Sequence, residues 1–285
     1  MVYAFPSAGA LDYANCSYGR SRLLFRGPKR DTEGAFIAVL GGSECYGRCV
    51  KHPFADLIEK DLGLPVANFG LQNAGPDAFL NDPLLMGKIG QAAVTVVQLF
   101  GVQNISNRFY TVHPRRNDRF LSAKPALKDL FPKTDFTDFH FTRHLLQSLQ
   151  QTSPQHFAVV VEGLQQDWLH HMRVLLNQIN GQTLLLWIAD AMPPPRHAAI
   201  DLVFNPMLID AEMIGQLSPK SGHIVYAVPS PEARAMGLEG MVYDPTELPV
   251  AAALPGPSVH REICNAVLPH LEQMLSVRQA RVLGA

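Results

Sequence analysis

Apolar residues along this chain fall into two rhythms: compact runs, and longer stretches that repeat every three to four residues. Phe36 to Leu40, Leu64 to Phe69, Ala92 to Phe100 and Thr183 to Ala189 are compact runs, and the first three stop at Gly41, Gly70 and Gly101. Runs that are apolar on both faces suit parallel strands covered on both sides. His156 to Val161 reads as a further strand before the last of these, and Ile224 to Val228 as a sixth. Helical spacing runs through Pro53 to Leu62, Phe139 to Gln151, Leu164 to Ile179 and Val259 to Leu275. Asp77 to Gly90 is helical too, with Pro83 either kinking it or marking its true start.

Strands alternating with helices predict an α/β fold, here a flavodoxin-like three-layer sandwich with a central parallel sheet and right-handed crossovers. A chain of 285 residues fits one large domain. Residues 1–285 are therefore read as a single unit with an N-terminal extension (1–34) and a long insertion (102–136) after the third strand. The insertion has no clear period. It carries Arg108, Arg115, Arg116, Arg119, Lys124, Lys128 and Lys133 against Asp118, Asp129 and Asp135. It reads either as a solvated excursion or as a basic lid that draws an anionic substrate to the strand edge. Tyr13, Cys16 and Tyr18, with Arg20, Arg22 and Arg26, read as an ordered N-terminal wrap.

Composition narrows the classes. A 47% hydrophobic share with 17% charged residues supplies a sizeable core and argues against disorder. A net charge of -1 gives no general pull towards nucleic acid or membrane. No apolar run approaches ~20 residues, so no membrane span is expected. Met1 to Arg20 contains Asp12 and lacks a basic start with a long apolar core, so no signal peptide is read there. Cys16, Cys45, Cys49 and Cys264 are scattered, which suits reduced thiols and a cytoplasmic setting. Cys45 and Cys49 find no second pair for zinc, and His140 and His144 lack an intervening Glu. No phosphate-cradling glycine fingerprint occurs. Neither metal nor cofactor is expected, the expected partner is a small molecule, and no oligomeric state follows.

The candidate chemistry gathers at strand ends. Ala35-Phe-Ile-Ala-Val-Leu-Gly-Gly-Ser-Glu-Cys-Tyr-Gly47 is a strand that meets two glycines and throws Ser43 out at the sheet's carboxyl edge. Open α/β sheets bind ligands at that edge. Glycines before a serine permit a sharp bend and leave backbone N–H groups for a developing oxyanion. The same residues equally make an ordinary turn with an N-cap serine. Asn68-Phe-Gly70-Leu-Gln-Asn73-Ala-Gly75 follows the second strand, Gly101-Val-Gln103-Asn104 the third, and His260 opens the last helix.

In this order the segments resemble the four blocks of the SGNH (GDSL-type) hydrolase superfamily, over roughly residues 35 to 275. Gly41-Gly-Ser43 resembles the first block with glycine in place of aspartate, and Asn68-Phe-Gly70 matches the second. Gly101 with Asn104 resembles the third, the asparagine one residue late, and His260 fits the last, where Pro257 takes the aspartate's place. Phe25-Arg-Gly-Pro28 and Gln72-Asn-Ala-Gly-Pro-Asp77 look like a bacterial domain of unknown function within or near this superfamily. The resemblance implies Ser43 as nucleophile, His260 as general base and acid, and an oxyanion hole from the Ser43 and Gly70 N–H groups with the amide of Asn104 or Gln103.

The departures leave alternatives open. Asp244 or Glu247, on the preceding loop, could orient His260, or a backbone carbonyl could; or the base is degraded and the domain binds without catalysis. Glu44 could orient a substrate hydroxyl or favour the start of the following helix. Asn73, Arg115, Arg116 and Arg119 are further candidates for substrate binding. Two functions follow: a serine esterase or acyltransferase acting on an ester of a small or carbohydrate-like molecule, or a catalytically altered relative that binds an anionic ligand or transfers sulfate or phosphate.

Overall fold

The computed structural model describes residues 11–217 and 222–283, with side chains through 277. β1 (Ile37–Gly41) turns at Gly42 into the single-turn helix α1 (Ser43–Tyr46), and α2 (Phe54–Leu62) leads to β2 (Val66–Gly70). The expected helix over 77–90 is two pieces, α3 (Asp77–Leu80) and α4 (Pro83–Ile89). Pro83 is the true start of the second, where its missing N–H costs nothing, and the Asp82 side chain caps it by accepting from the Leu85 N–H. β3 (Val94–Gln98) follows.

The insertion is ordered. It holds the antiparallel hairpin β4 (Tyr110–His113) and β5 (Arg116–Ala123) and the helix α5 (Pro125–Leu130). Val112 and Phe120 pair across the hairpin and are buried, so its alternating pattern has a core face. Arg108 pairs with Asp167 and fixes the start of the insertion.

α6 (Thr142–Thr152) and α7 (Pro154–Gln178) come next. The expected strand over 156–161 is therefore wrong: these residues are the first turns of α7. Ser153 caps the helix and Pro154 sits at its first position. Phe157, Val160, Val161, Leu164 and Trp168 form a buried stripe at helical spacing. Packing of that stripe and the cap outweigh the β preference of three consecutive valines. β6 (Gln182–Ile188), α8 (Ala211–Gly215), β7 (His223–Ala227), α9 (Pro231–Ala235), α10 (Leu248–Ala251) and α11 (Pro257–Leu283) complete the chain.

The main sheet has five parallel strands in the order β2-β1-β3-β6-β7. Among main-sheet strands alone this is the 2-1-3-4-5 order of flavodoxin-like folds, which places the turns after β1 and β3 side by side. Successive residues alternate between two cores. Ile37, Val39, Val94 and Val96 face α2 and α11, while Ala38, Leu40 and Val97 face the core that holds α4, α6 and α7. The four cysteines are unpaired, and no helix among the described residues is long and apolar enough to cross a membrane.

Residues 16–26 form an ordered wrap on the sheet edge, while residues 1–10 of the expected extension lie outside the described residues. Tyr18 and Phe25 pack on Phe69 of β2. Arg26, 5% exposed, sends its guanidinium under the end of α1 and donates to the carbonyls of Tyr46, Gly47, Val50 and Lys51. This arginine anchors the segment that carries Ser43.

Candidate functional site

The turns after β1 and β3 enclose a polar cavity of about 110 Å³ at the sheet's carboxyl edge. Close approach dictates the glycine at Gly41: a Cβ there would lie 2.2 Å from the Cys45 sulfur and 2.4 Å from Gln98 Oε1. Gln98, the last residue of β3, fills that space and is 4% exposed. Its Oε1 accepts from the Gly42 N–H at 2.9 Å and its Nε2 donates to Glu44 at 2.7 Å. One buried amide thus fixes both the Ser43 turn and the Glu44 carboxylate.

Ser43 lines the cavity together with Glu44, Asn73, Gln103 and Asn104. Its hydroxyl donates to Asn73 Oδ1 (3.2 Å) and accepts from the Asn73 N–H (3.0 Å). Asn104 donates to the Asn73 carbonyl at 2.9 Å and accepts from the Thr142 hydroxyl at 3.1 Å. Gln103 Oε1 is enclosed and has no hydrogen-bond partner. Arg143 of α6 and Asn205 close the far wall. The Arg143 guanidinium donates to the Leu202 carbonyl and to Asn205 Oδ1. Burial holds its pKa below the usual arginine value, against the opposing pull of Asp201.

Other expected site residues lie elsewhere. The Gly70 N–H donates to Asn68 Oδ1 at 2.8 Å, and a Cβ on Gly70 would lie 2.3 Å from the Tyr46 nitrogen. This glycine allows α1 to pack on β2, and its N–H is engaged. With Asn104 Nδ2 also engaged, the Ser43 N–H and the Gln103 amide are what remain of the four donors. Arg115, Arg116 and Arg119 do not line the cavity. The first two are exposed at the hairpin turn, and Arg119 stacks over Phe141 at 4.1 Å. The insertion instead reaches the site through Asp118, which accepts from Asn73 Nδ2 at 3.3 Å, and Asn117, which accepts from the Gly75 N–H at 2.9 Å.

His260 stands apart from Ser43. The imidazole is 1% exposed, stacks on Phe54 and accepts from the Phe54 N–H at Nδ1 (3.1 Å). A ring that accepts at Nδ1 carries its proton on Nε2 when neutral. That Nε2 has no hydrogen-bond partner, so neither Ser43 nor Asp244 bonds to it. Asp244 accepts from the N–H and hydroxyl of Thr246 in a capping box with Glu247, which in turn pairs with Arg48. Burial, with the nearby Arg26 charge, pushes the His260 pKa down to about 3.

A histidine kept neutral when folded but free to protonate when unfolded makes acid destabilising. The unfolded chain binds the extra proton between about pH 6.5 and 3, so stability falls across that window as pH drops. Between pH 6.5 and 5 this amounts to on the order of 2 kcal/mol. Urea unfolding at the two pH values is expected to show that loss in the parent and a clearly smaller loss in His260→Gln. Equal losses in both proteins would show that His260 is not held neutral.

Gln98, Arg143, Asn205 and Asp118 were not among the expected site residues. Gln98 alone had a readable signal: it is the polar residue at the carboxyl end of an otherwise apolar strand. The other three come from a helix (Arg143), a hairpin strand (Asp118) and a loop (Asn205) whose convergence only the tertiary fold sets.

A family model, a domain of unknown function (DUF6473), matches residues 1–275. No curated protein matches the chain. Among solved structures, a lipase (Lip_vut3) from a goat rumen metagenome is similar with 12% identity and a TM-score of 0.45, over 82% of this chain and 96% of that one. A carbohydrate esterase family 2 enzyme with a carbohydrate-binding domain, from Corynascus thermopiles (Myceliophthora fergusii), is similar with 11% identity and a TM-score of 0.39. That match covers 88% of this chain and 69% of the other.

Proposed function

We propose that this chain, which belongs to the DUF6473 family, is a catalytically altered relative of SGNH-type hydrolases that binds a small polar molecule at the Ser43 cavity. The observation that carries the reading is the place of His260. Nucleophilic attack by serine needs a base within about 3 Å of its hydroxyl. Here the Ser43 hydroxyl donates to a neutral amide, Asn73, which cannot take the proton. The histidine that the superfamily's order assigns to the task is enclosed on Phe54. Two of the assigned oxyanion donors are likewise spent on internal bonds. What remains is an amide-rich cavity with one carboxylate and one guanidinium, suited to holding a polar ligand.

A second reading keeps the ester chemistry: a serine esterase or acyltransferase acting on an ester of a small or carbohydrate-like molecule. It is favoured by the presentation of the Ser43 hydroxyl on a strand–turn at the carboxyl edge. It requires His260 to leave its enclosure and surrender the Phe54 N–H, at a cost of about 1–3 kcal/mol for the orphaned donor alone.

Treatment with a fluorophosphonate probe separates the two. The expected result is an unmodified Ser43 under conditions that fully label a control serine esterase, and p-nitrophenyl acetate turnover no faster than in Ser43→Ala. Stoichiometric labelling at Ser43, abolished by Ser43→Ala, would overturn the binding reading in favour of the esterase.

A further inference from the structure

The cavity holds two opposite charges that do not neutralise each other. Glu44 and Arg143 both line it, yet no ion pair joins them, although eight such pairs occur among the described residues. Glu44 takes only the amide of Gln98, a neutral donor. Arg143 is half-buried and donates only to neutral oxygens, those of Leu202 and Asn205. Asp201 is the one carboxylate that acts on this guanidinium, and it forms no ion pair with it. A partly desolvated guanidinium without a direct carboxylate partner is electrostatically incomplete, and so is a carboxylate held by one amide. Gln103 lines the same cavity, and its enclosed Oε1 accepts nothing. The lining therefore calls for an anionic group at one end and hydrogen-bond donors at the other.

Size sets the second constraint. A cavity of about 150 Å³ holds a six-carbon ring, so the 110 Å³ here admits a ligand or ligand fragment of about four or five non-hydrogen atoms.

Resting on the binding reading above, we infer that the Ser43 cavity takes a small hydroxy- or amino-carboxylate. Its carboxylate meets Arg143, and its hydroxyl or ammonium group donates to Glu44. The selectivity comes from the pair: a neutral polyol leaves Arg143 unmet, and a simple carboxylate leaves Glu44 unmet.

Four probes of nearly equal size test this by NMR titration of the full chain at fixed ionic strength: glycolate, glycine, glycolamide and acetate. Glycolamide keeps the donor and loses the charge, whereas acetate keeps the charge and loses the donor. The better of glycolate and glycine is expected to bind at least tenfold more tightly than glycolamide and acetate, and it identifies the donor. Arg143→Gln should lower its affinity to that of glycolamide, and Glu44→Gln to that of acetate. Because Arg143 also anchors the 202–205 wall, Arg143→Lys is the control. It weakens the anchor, retains the charge, and should retain the preference.

A preference that survives Arg143→Gln overturns the assignment, as does one lost in Arg143→Lys. Equal binding of all four probes leaves a ligand site and removes the charge pairing. Failure of all four to bind at about 0.1 M, well above the millimolar Kd that an efficient five-atom ligand can reach, removes the ligand reading as well.

Discussion

Arg26→Ala is expected to destabilise the fold by on the order of 3–5 kcal/mol, since it strips the donors from four carbonyls at once. Each buried acceptor left without a partner costs about 1–3 kcal/mol, less where water reaches it, so the four do not add in full. At about 2–4 °C per kcal/mol for a domain of this size, calorimetry should show Tm falling by roughly 10 °C or more. Arg26→Lys should recover little of it, because an ammonium is a compact point and cannot span carbonyls on both sides of the 46–51 turn. A Tm within about 2 °C of the parent would mean that solvent satisfies these carbonyls and that Arg26 is not the anchor of the Ser43 segment.

A comparable loss is expected at Trp168. Its indole is fully buried on α7 and donates to the Phe100 carbonyl at 2.8 Å, directly behind the Ser43 cavity that Phe100 helps to line. Trp168→Ala removes one of the two fully buried tryptophans of that layer and orphans the carbonyl, for about 4–6 kcal/mol in all. Trp168→Phe keeps most of the volume and loses the hydrogen bond, for about 1–3 kcal/mol. Chemical denaturation of both variants separates packing from hydrogen bonding. Equal losses would place the whole effect in the indole N–H.

The sheet was legible because its strands are buried on both faces. Val94 to Gln98 and Gln182 to Ile188 have almost no exposed residue to break the apolar run. The same signal misled at His156 to Val161, where a run of valines belongs to a helix. The Ser153-Pro154 start was the clue that should have outweighed the side-chain preference. In the insertion, a two-residue turn at Pro114 and Arg115 joins strands with a β-bulge, and the bulge shifts their alternation out of register. Of the site, the residues adjacent to strand ends were readable: Ser43, Glu44, Asn73, Gln103 and Asn104 all reach the cavity. Arg143 was not, because no local pattern on α6 distinguishes it from any solvated helical arginine. Nor could the sequence reveal that Phe54 at the start of α2 would close over His260.

The order of the sheet also sets how the cavity comes together along the chain. β1, β2 and β3 lie within residues 37–98, so their pairing closes short loops, whereas β3 meets β6 only after residues 99–181 have been threaded through the hairpin, α6 and α7. Closing the longer loop costs more entropy, and non-local pairings of this kind are slow. Ser43, Asn73 and Gln98 belong to the early part, and Arg143, Ile188 and Asn205 to the late one. The cavity is the seam between two stretches of chain. A ligand touching both Glu44 and Arg143 would act as a non-covalent staple across it, resisting the separation of the chain's first third from the rest.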